Sequence, residues 1–393
     1  MGVSLLCVLA RLGIAGMGAD AGKVEEGFVS LFNGKDLTGW HIEGQPAKAF
    51  YANAGELRCR PGANYPTWLR SDKTYENFVL RFEYKIGYYC ESGLFIHAPL
   101  HGRCSKVGIK IVLTEDTARG AKTQHTGTIL GVAREKVMVA EKHSTWYPME
   151  VFMNYPMLRV TLAGKVVQEI DCAKDPKLRH RLRQGYIGFS AMGSPCAFRN
   201  VRIKELPSKE KWIRLLDSIP GINSKDKWVP LEKGKDLGGW NILSTVKWEA
   251  RDGVLRATGN GYLITDGEWQ DFELFTYVRA TPHANGGIFF RWKGLNTNDR
   301  AYEIQIYNNP DGNNPTGSIY RYVRNANLNI PDNAWFPLRI FAKGKTVSTR
   351  VNGDDGVFSD RRIEFVRPGR IALQMHKHGA RIEFKDLRIK PLR

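Results

Sequence analysis

The sequence predicts an all-β protein made of two tandem sandwiches or barrels, and three observations carry that prediction. The chain repeats itself: Leu31–Trp40, "LFNGKDLTGW", returns at Leu231–Trp240 as "LEKGKDLGGW". The correspondence continues in order, with Ser92–His97 against Gly286–Arg291, Thr126–Ile129 against Thr316–Ile319, and Phe198–Ile203 against Phe384–Ile389. Each copy consists of short alternating runs such as Phe272–Arg279, Ile288–Lys293 and Arg339–Asn352, broken by Gly, Asn, Asp and Pro. Finally, 393 residues hold two domains of ordinary size, and 42% hydrophobic with 25% charged residues suits packed cores and excludes a disordered chain.

In chain order, residues 1–21 are apolar and rich in small residues and end in Ala19-Asp20-Ala21, which reads as a signal peptide for a periplasmic or secreted protein. Arg11 interrupts the apolar run and no Lys or Arg precedes it, so a cytoplasmic protein is the competing reading. No later stretch reaches the roughly 18 apolar residues of a membrane-spanning helix. The first sandwich occupies 28–206 and the second 228–393. The linker, 207–227, has helical spacing over Lys209–Ile219 and stops at Pro220-Gly221.

After Cys7 the cysteines are Cys59, Cys90, Cys104, Cys172 and Cys196, all in the first half. An odd number without C-x-x-C spacing supports neither a disulfide framework nor a zinc site. Buried thiols are the favoured reading, with a Cys90–Cys104 or Cys172–Cys196 bridge as the exported alternative. The formal charge of +18 favours anionic partners such as an acidic polysaccharide, against a merely basic background. Scattered Lys and Arg make no nucleic-acid arm, so no specific nucleic acid is expected.

Strand periodicity also marks a polar face. Side chains two apart share a face, so in Ala301–Asn308 Glu303, Gln305 and Tyr307 look away from Ile304 and Ile306. In Gly369–His376 the apolar row of Ile371, Leu373 and Met375 leaves Gln374 and His376 opposite. The same parity puts Arg291 with Gly287 and Phe289, and Arg350 and Asn352 extend the row. For each residue alone a bland role competes: Glu303 with Arg291 as a cross-strand ion pair, His376 as a surface histidine beside His378. Five polar groups on one face favour a site.

The opening "LFNGKDLTGW", the "GGIFFR" strand, "YEIQIYN", "TGSIY", Trp335 with "VNG", and "IALQMHKHGARIEFKDLRI" resemble the 3-keto-disaccharide hydrolase domain family over nearly all of 28–206 and 228–392. The resemblance implies two concanavalin A-like jelly-roll β-sandwiches with a saccharide site on a concave sheet, and action on glycosides whose C3 hydroxyl has been oxidised to a ketone. Ordinary glycosidases set two carboxylates across the scissile bond, and laminarinase-like relatives of the superfold carry them as E-x-D-x-x-E. Here the strand reads Glu303-Ile304-Gln305. One base suffices for different chemistry: a C3 ketone acidifies the C2 hydrogen, so its removal lets the enolate expel the glycosidic oxygen, and water adds back.

Glu303 and His376 are the expected catalytic pair, either one as base and the other as acid. Arg291, Gln305, Tyr307, Asn352 and Gln374 are the expected substrate-binding residues, with no cofactor and no metal. Alignment of the copies sets Arg291 against His97, Glu303 against Gly108, Gln305 against Lys110, Asn352 against Ala163, Gln374 against Ser190 and His376 against Met192. The first domain thereby lacks the acid and base and reads as a binding or packing partner with Glu91, His97, Lys110 and His125. Two function classes stand: an enzyme on 3-keto-glycosides, and a non-catalytic carbohydrate-binding protein. A lectin needs donors and aromatic platforms but no titrating pair.

Overall fold

A computed structural model describes residues 25–63, 66–115, 124–139, 142–207, 228–233, 236–243, 247–294, 300–326, 328, 330–359, 361–376 and 379–392. The expected leader, and the expected linker helix beyond Pro207, lie outside them. The described strands form four antiparallel sheets, one of eight strands and one of five in each half. In each half the two sheets close over one apolar core. The first is built around Phe78, Phe82, Phe189 and Phe198, the second around Phe272, Phe290, Tyr302 and Phe384. The tandem sandwich prediction is therefore met. Among the described residues the helix is a single turn, Cys104–Val107, and none is long and apolar enough to cross a membrane.

The repeated opening motif is architectural. Gly39 and Gly239 adopt φ of 86° and 91°, a left-handed conformation that favours glycine. The following tryptophans turn inward, and the Trp40 indole N–H donates to Leu31 O at 2.6 Å as the Trp240 indole does to Leu231 O at 2.5 Å. A buried ring plus a satisfied donor fastens the chain entry to the core in both copies, by roughly 2–3 kcal/mol of apolar burial each.

All five described cysteines are free and buried. Neither expected bridge is formed, and Cys196 lies across the strand ladder from Cys59.

Among the register shifts in the ladders, one recurs in both halves and bears on the site. Pairing of Gly286–Trp292 with Gly369–Met375 slips between Phe289 and Trp292, where Arg291 has φ 56°. The first copy slips opposite Phe95–Ala98, where His97 has φ 49°. An extra residue in one strand is a β-bulge and reverses the facing of the side chain that it carries.

The halves stack through residues 99–107 of the first and the eight-stranded sheet of the second. The Leu100 N–H donates to the Tyr277 hydroxyl at 3.0 Å, and His101 stacks on Trp335 with centroids 5.8 Å apart. Arg103 donates its backbone N–H to Asn352 Oδ1 at 2.9 Å and pairs through its guanidinium with Asp354, as Lys106 also does. Glu43, Arg70 and Tyr186, on the five-stranded sheet of the first domain, lie within electrostatic reach of Lys385 and Asp386 on the second.

Candidate active site

Glycine at 287 decides how the polar face of the second domain is built. A Cβ there would stand 2.3 Å from Glu303 Oε1, so the missing side chain lets the Glu303 carboxyl lie flat over the neighbouring strand. Gly287 pairs with Gln305 on one side and Gln374 on the other, which brings three strands' polar side chains to one patch. Residues Tyr320–Tyr322 form the wall: Tyr320 N–H bonds to Glu303 O at 2.9 Å, holding that turn over the strand. The result is a cleft of about 530 Å³ lined by Asn285, Phe289, Arg300, Ala301, Glu303, Gln305, Tyr320, Arg321, Tyr322, Gln374 and His376.

Glu303 is 8% exposed, and burial raises its carboxyl from the ordinary 4.5 to about 8, against a smaller lowering by the Arg321 charge. Among the described residues no donor is hydrogen-bonded to that carboxyl. Arg321 stands at φ 66°, where the equivalent turn of the first domain has Gly131 at 71°. A bulky residue in that conformation costs of order 1 kcal/mol and is worth explaining. Here it sets a guanidinium beside the buried acid.

Gln305 donates Nε2 to Asn285 Oδ1 at 2.7 Å while its Oε1 is buried without a partner, an acceptor left for a ligand hydroxyl. Gln374 donates to the Tyr262 hydroxyl at 2.9 Å. Tyr262, Phe289 and Trp292 pack edge-on and tilted at 5.0–5.8 Å, an aromatic cluster whose Phe289 reaches the cleft. His376 is exposed at the rim, with its N–H bonded to Asn285 O at 2.8 Å.

Of the residues expected from the sequence, Glu303, Gln305, Gln374 and His376 come together, and three do not. The bulge turns Arg291 into the core with no exposure, where its guanidinium donates to Gln270 O, Phe365 O, Gly344 O and Asp271 Oδ1 at 2.7–3.3 Å. It braces the fold. Tyr307 follows the last strand residue, Ile306, and its hydroxyl accepts from Asn309 at 3.2 Å outside the cleft. Asn352 belongs to a turn of the eight-stranded sheet at the domain contact, and Arg350 lies in that sheet too. Alternation identifies the face of a strand but not the sheet that holds it.

The first-domain equivalences also shift. Phe95 pairs with Lys110 as Phe289 pairs with Glu303, so Lys110, not Gly108, occupies the Glu303 position, and Val112 that of Gln305. Lys110 likewise lies over a glycine, Gly93, and pairs with Glu91 at 3.1 Å. Trp68, Phe95, Ala98 and Cys104 pack together on that face, the counterpart of the Ile264, Trp292 and Ala372 cluster of the second domain. His97 is a brace like Arg291, bonded to Glu76 O at 2.7 Å and Leu182 O at 3.1 Å. His125 donates its N–H to Thr128 Oγ1 at 3.3 Å within the 125–128 turn.

Sequence reasoning missed Asn285, Arg300, Arg321 and the flanking tyrosines. The signal for Arg321 was present, since "TGTILGV" and "TGSIYRY" differ by an arginine in a glycine's place.

A model of the 3-keto-alpha-glucoside-1,2-lyase-like domain matches residues 27–204 and again 227–390. Among solved structures, a candidate glycosyl hydrolase from Parabacteroides distasonis is 23% identical, with a TM-score of 0.41 over 46% of this chain and 95% of its own. The carbohydrate-binding module CBM66 from Bacillus subtilis is 12% identical, with a TM-score of 0.32 over 43% of this chain and 97% of its own. No curated protein matches the sequence.

Proposed function

Because the chain belongs to the 3-keto-alpha-glucoside-1,2-lyase-like domain family, through both of its halves, we propose that its second domain cleaves the glycosidic bond of 3-keto-glycosides by proton abstraction next to the ketone. The observation that carries the proposal is the buried Glu303, whose carboxyl is pushed up to about 8 in a cleft shared with Arg321 and His376. Lifting the carboxyl by burial makes its ionised form a far stronger base than an ordinary glutamate, with a proton affinity matched to near-neutral working pH. Glu303 takes the C2 hydrogen, and the electron pair moves into a C2–C3 enolate whose oxygen is neutralised by the Arg321 guanidinium. The enolate re-forms the ketone as the C1–O bond breaks, giving a C1=C2 double bond, and His376 at the rim supplies the proton to the leaving oxygen. Addition of water at C1 and return of a proton to C2 complete a hydrolysis; release before that step makes the reaction a lyase. Gln305 Oε1 accepts from a sugar hydroxyl, and Phe289 offers an apolar surface to the ring.

The test is turnover of a 3-keto-disaccharide in deuterated water, with the unoxidised disaccharide as comparison. Deuterium appearing at C2 of the product, and loss of turnover by about 10²–10⁴-fold in Glu303→Gln, is the expected result. Equal binding of oxidised and unoxidised sugar without turnover of either would instead make the cleft a lectin site.

A further inference from the structure

A second cavity, about 430 Å³, lies between the two domains and away from Glu303. Its first-domain wall carries Arg103, Lys106, Lys177 and Arg181, and its second-domain wall Arg339 and Arg350. Against these six cations, the carboxylates lining it are Asp354 and Asp355; with Glu273, which grips Arg339, and Asp175, which acts on Arg181, two positive charges remain in excess among the described residues. An adjoining cavity of about 490 Å³ shares His180, Arg339, Arg350 and Asp355 and continues the basic lining. The cations feel one another. Burial lowers Arg350, and Arg339 and Arg179 lower it further, while burial and then Arg350 and Arg339 hold His180 at about 4, so it is neutral at pH 7.

We infer that this inter-domain cleft is a binding site for an acidic oligosaccharide, one bearing carboxylate or sulfate groups, distinct from the Glu303 cleft. A cleft lined by one sign of charge concentrates counter-charge, and guanidinium groups offer paired donors that match a planar carboxylate or sulfate edge. Its floor is apolar where Phe275, Leu182 and Pro337 line it, which suits the faces of sugar rings. Each of the two adjoining volumes falls in the range of small-ligand sites, about 300–1,000 Å³, and together they suit a short oligosaccharide. Both domains contribute, so the site exists only in the tandem chain, and it accounts for a use of the +18 charge that the concave face does not make.

Calorimetric titration of the full chain with a galacturonate trisaccharide, a sulfated heparin tetrasaccharide and neutral galactotriose tests the inference. The expected result is binding of either or both acidic probes, weakening about tenfold or more between 50 and 300 mM salt, with none for the neutral probe. Lys177→Glu with Arg350→Gln should weaken acidic binding at least tenfold without changing 3-keto-disaccharide turnover. Lys177→Ala, at an exposed site, should weaken it measurably and guards against a folding failure. Equal binding of galactotriose, loss of binding in Glu303→Gln, or duplex DNA binding more tightly than both acidic sugars would each overturn the assignment.

Discussion

Replacing Glu303 by glutamine should make the protein more stable and inactive, and the stability gain should depend on pH. The unfolded carboxyl titrates near 4.5 and the folded one near 8, so between those values the unfolded state is the one that ionises. The wild-type acid thus contributes its full stability below pH 4.5 and loses it progressively as pH rises through 8. Each pH unit is worth about 1.4 kcal/mol, so keeping the carboxyl neutral costs roughly 3 kcal/mol at pH 7 and about 5 above pH 8. Glutamine has nearly the same shape and never ionises. Its amide gives back about 1–2 kcal/mol, since no partner for the carboxyl is present to receive it. A net gain of about 1–2 kcal/mol at pH 7 is expected, turning into a loss of about 1–2 kcal/mol at pH 4, where the acid is neutral in both states and only the amide's cost remains. Urea unfolding of both proteins at pH 4, 7 and 9, read on the second-domain transition, measures it alongside turnover. A stability difference that is the same at all three pH values would show that Glu303 is not held neutral by burial, and the catalytic argument built on it would fall.

Three further outcomes follow from the same geometry. Gly287→Ala puts a methyl group 2.3 Å from the Glu303 carboxyl and should cost about 10²-fold in turnover through misplacement, whereas Gly93→Ala, which crowds Lys110 in the same way, should leave turnover near wild type; equal effects would refute the division of labour. Arg321→Gly suits the left-handed backbone and should fold within about 1 kcal/mol of wild type, while removing the cation that lowers Glu303 moves the acidic limb of the pH–rate profile upward; an unmoved limb would remove Arg321 from the site. Burial holds His97, His101 and His180 at about 4, each below the ordinary 6.5. Their contribution is intact above pH 6.5 and lost as pH falls toward 4, by up to roughly 3 kcal/mol for the fully buried His97 and less for half-exposed His180; a first-domain urea midpoint, where Glu303 does not contribute, unchanged between pH 7 and 4.5 would contradict it.

Much of the fold was legible because duplication doubles the evidence: a motif met twice in the same order marks strands that neither copy marks alone. Glu303, Gln305 and Gln374 were legible from alternation, which the pleat enforces over Tyr302–Ile306 and Gly369–Met375. Arg291 was misread because a bulge changes parity without any residue that announces it. Tyr307 was lost by one residue at a strand end, and Asn352 because strand faces do not reveal which sheet a strand joins. Lys110 was misaligned by two residues because chain lengths differ between strands, and backbone pairing alone settled the register. Arg321 required seeing that its backbone wants glycine, a fact visible in the sequence only through the other copy.

The way the halves stack has a consequence for assembly. One domain presents the outer side of its five-stranded sheet and its 99–107 loop, and the other receives them on its eight-stranded sheet. Unlike surfaces meet, so the contact is heterologous. Each end of the pair therefore keeps an unused half of the joint: the eight-stranded face of the first domain and the five-stranded face of the second. In the second domain the latter face is the one that has become the Glu303 cleft. Opening that cleft and giving up the packing surface are then the same structural event, since a face shaped into a pocket no longer presents the plug that the five-stranded sheet of the first domain presents.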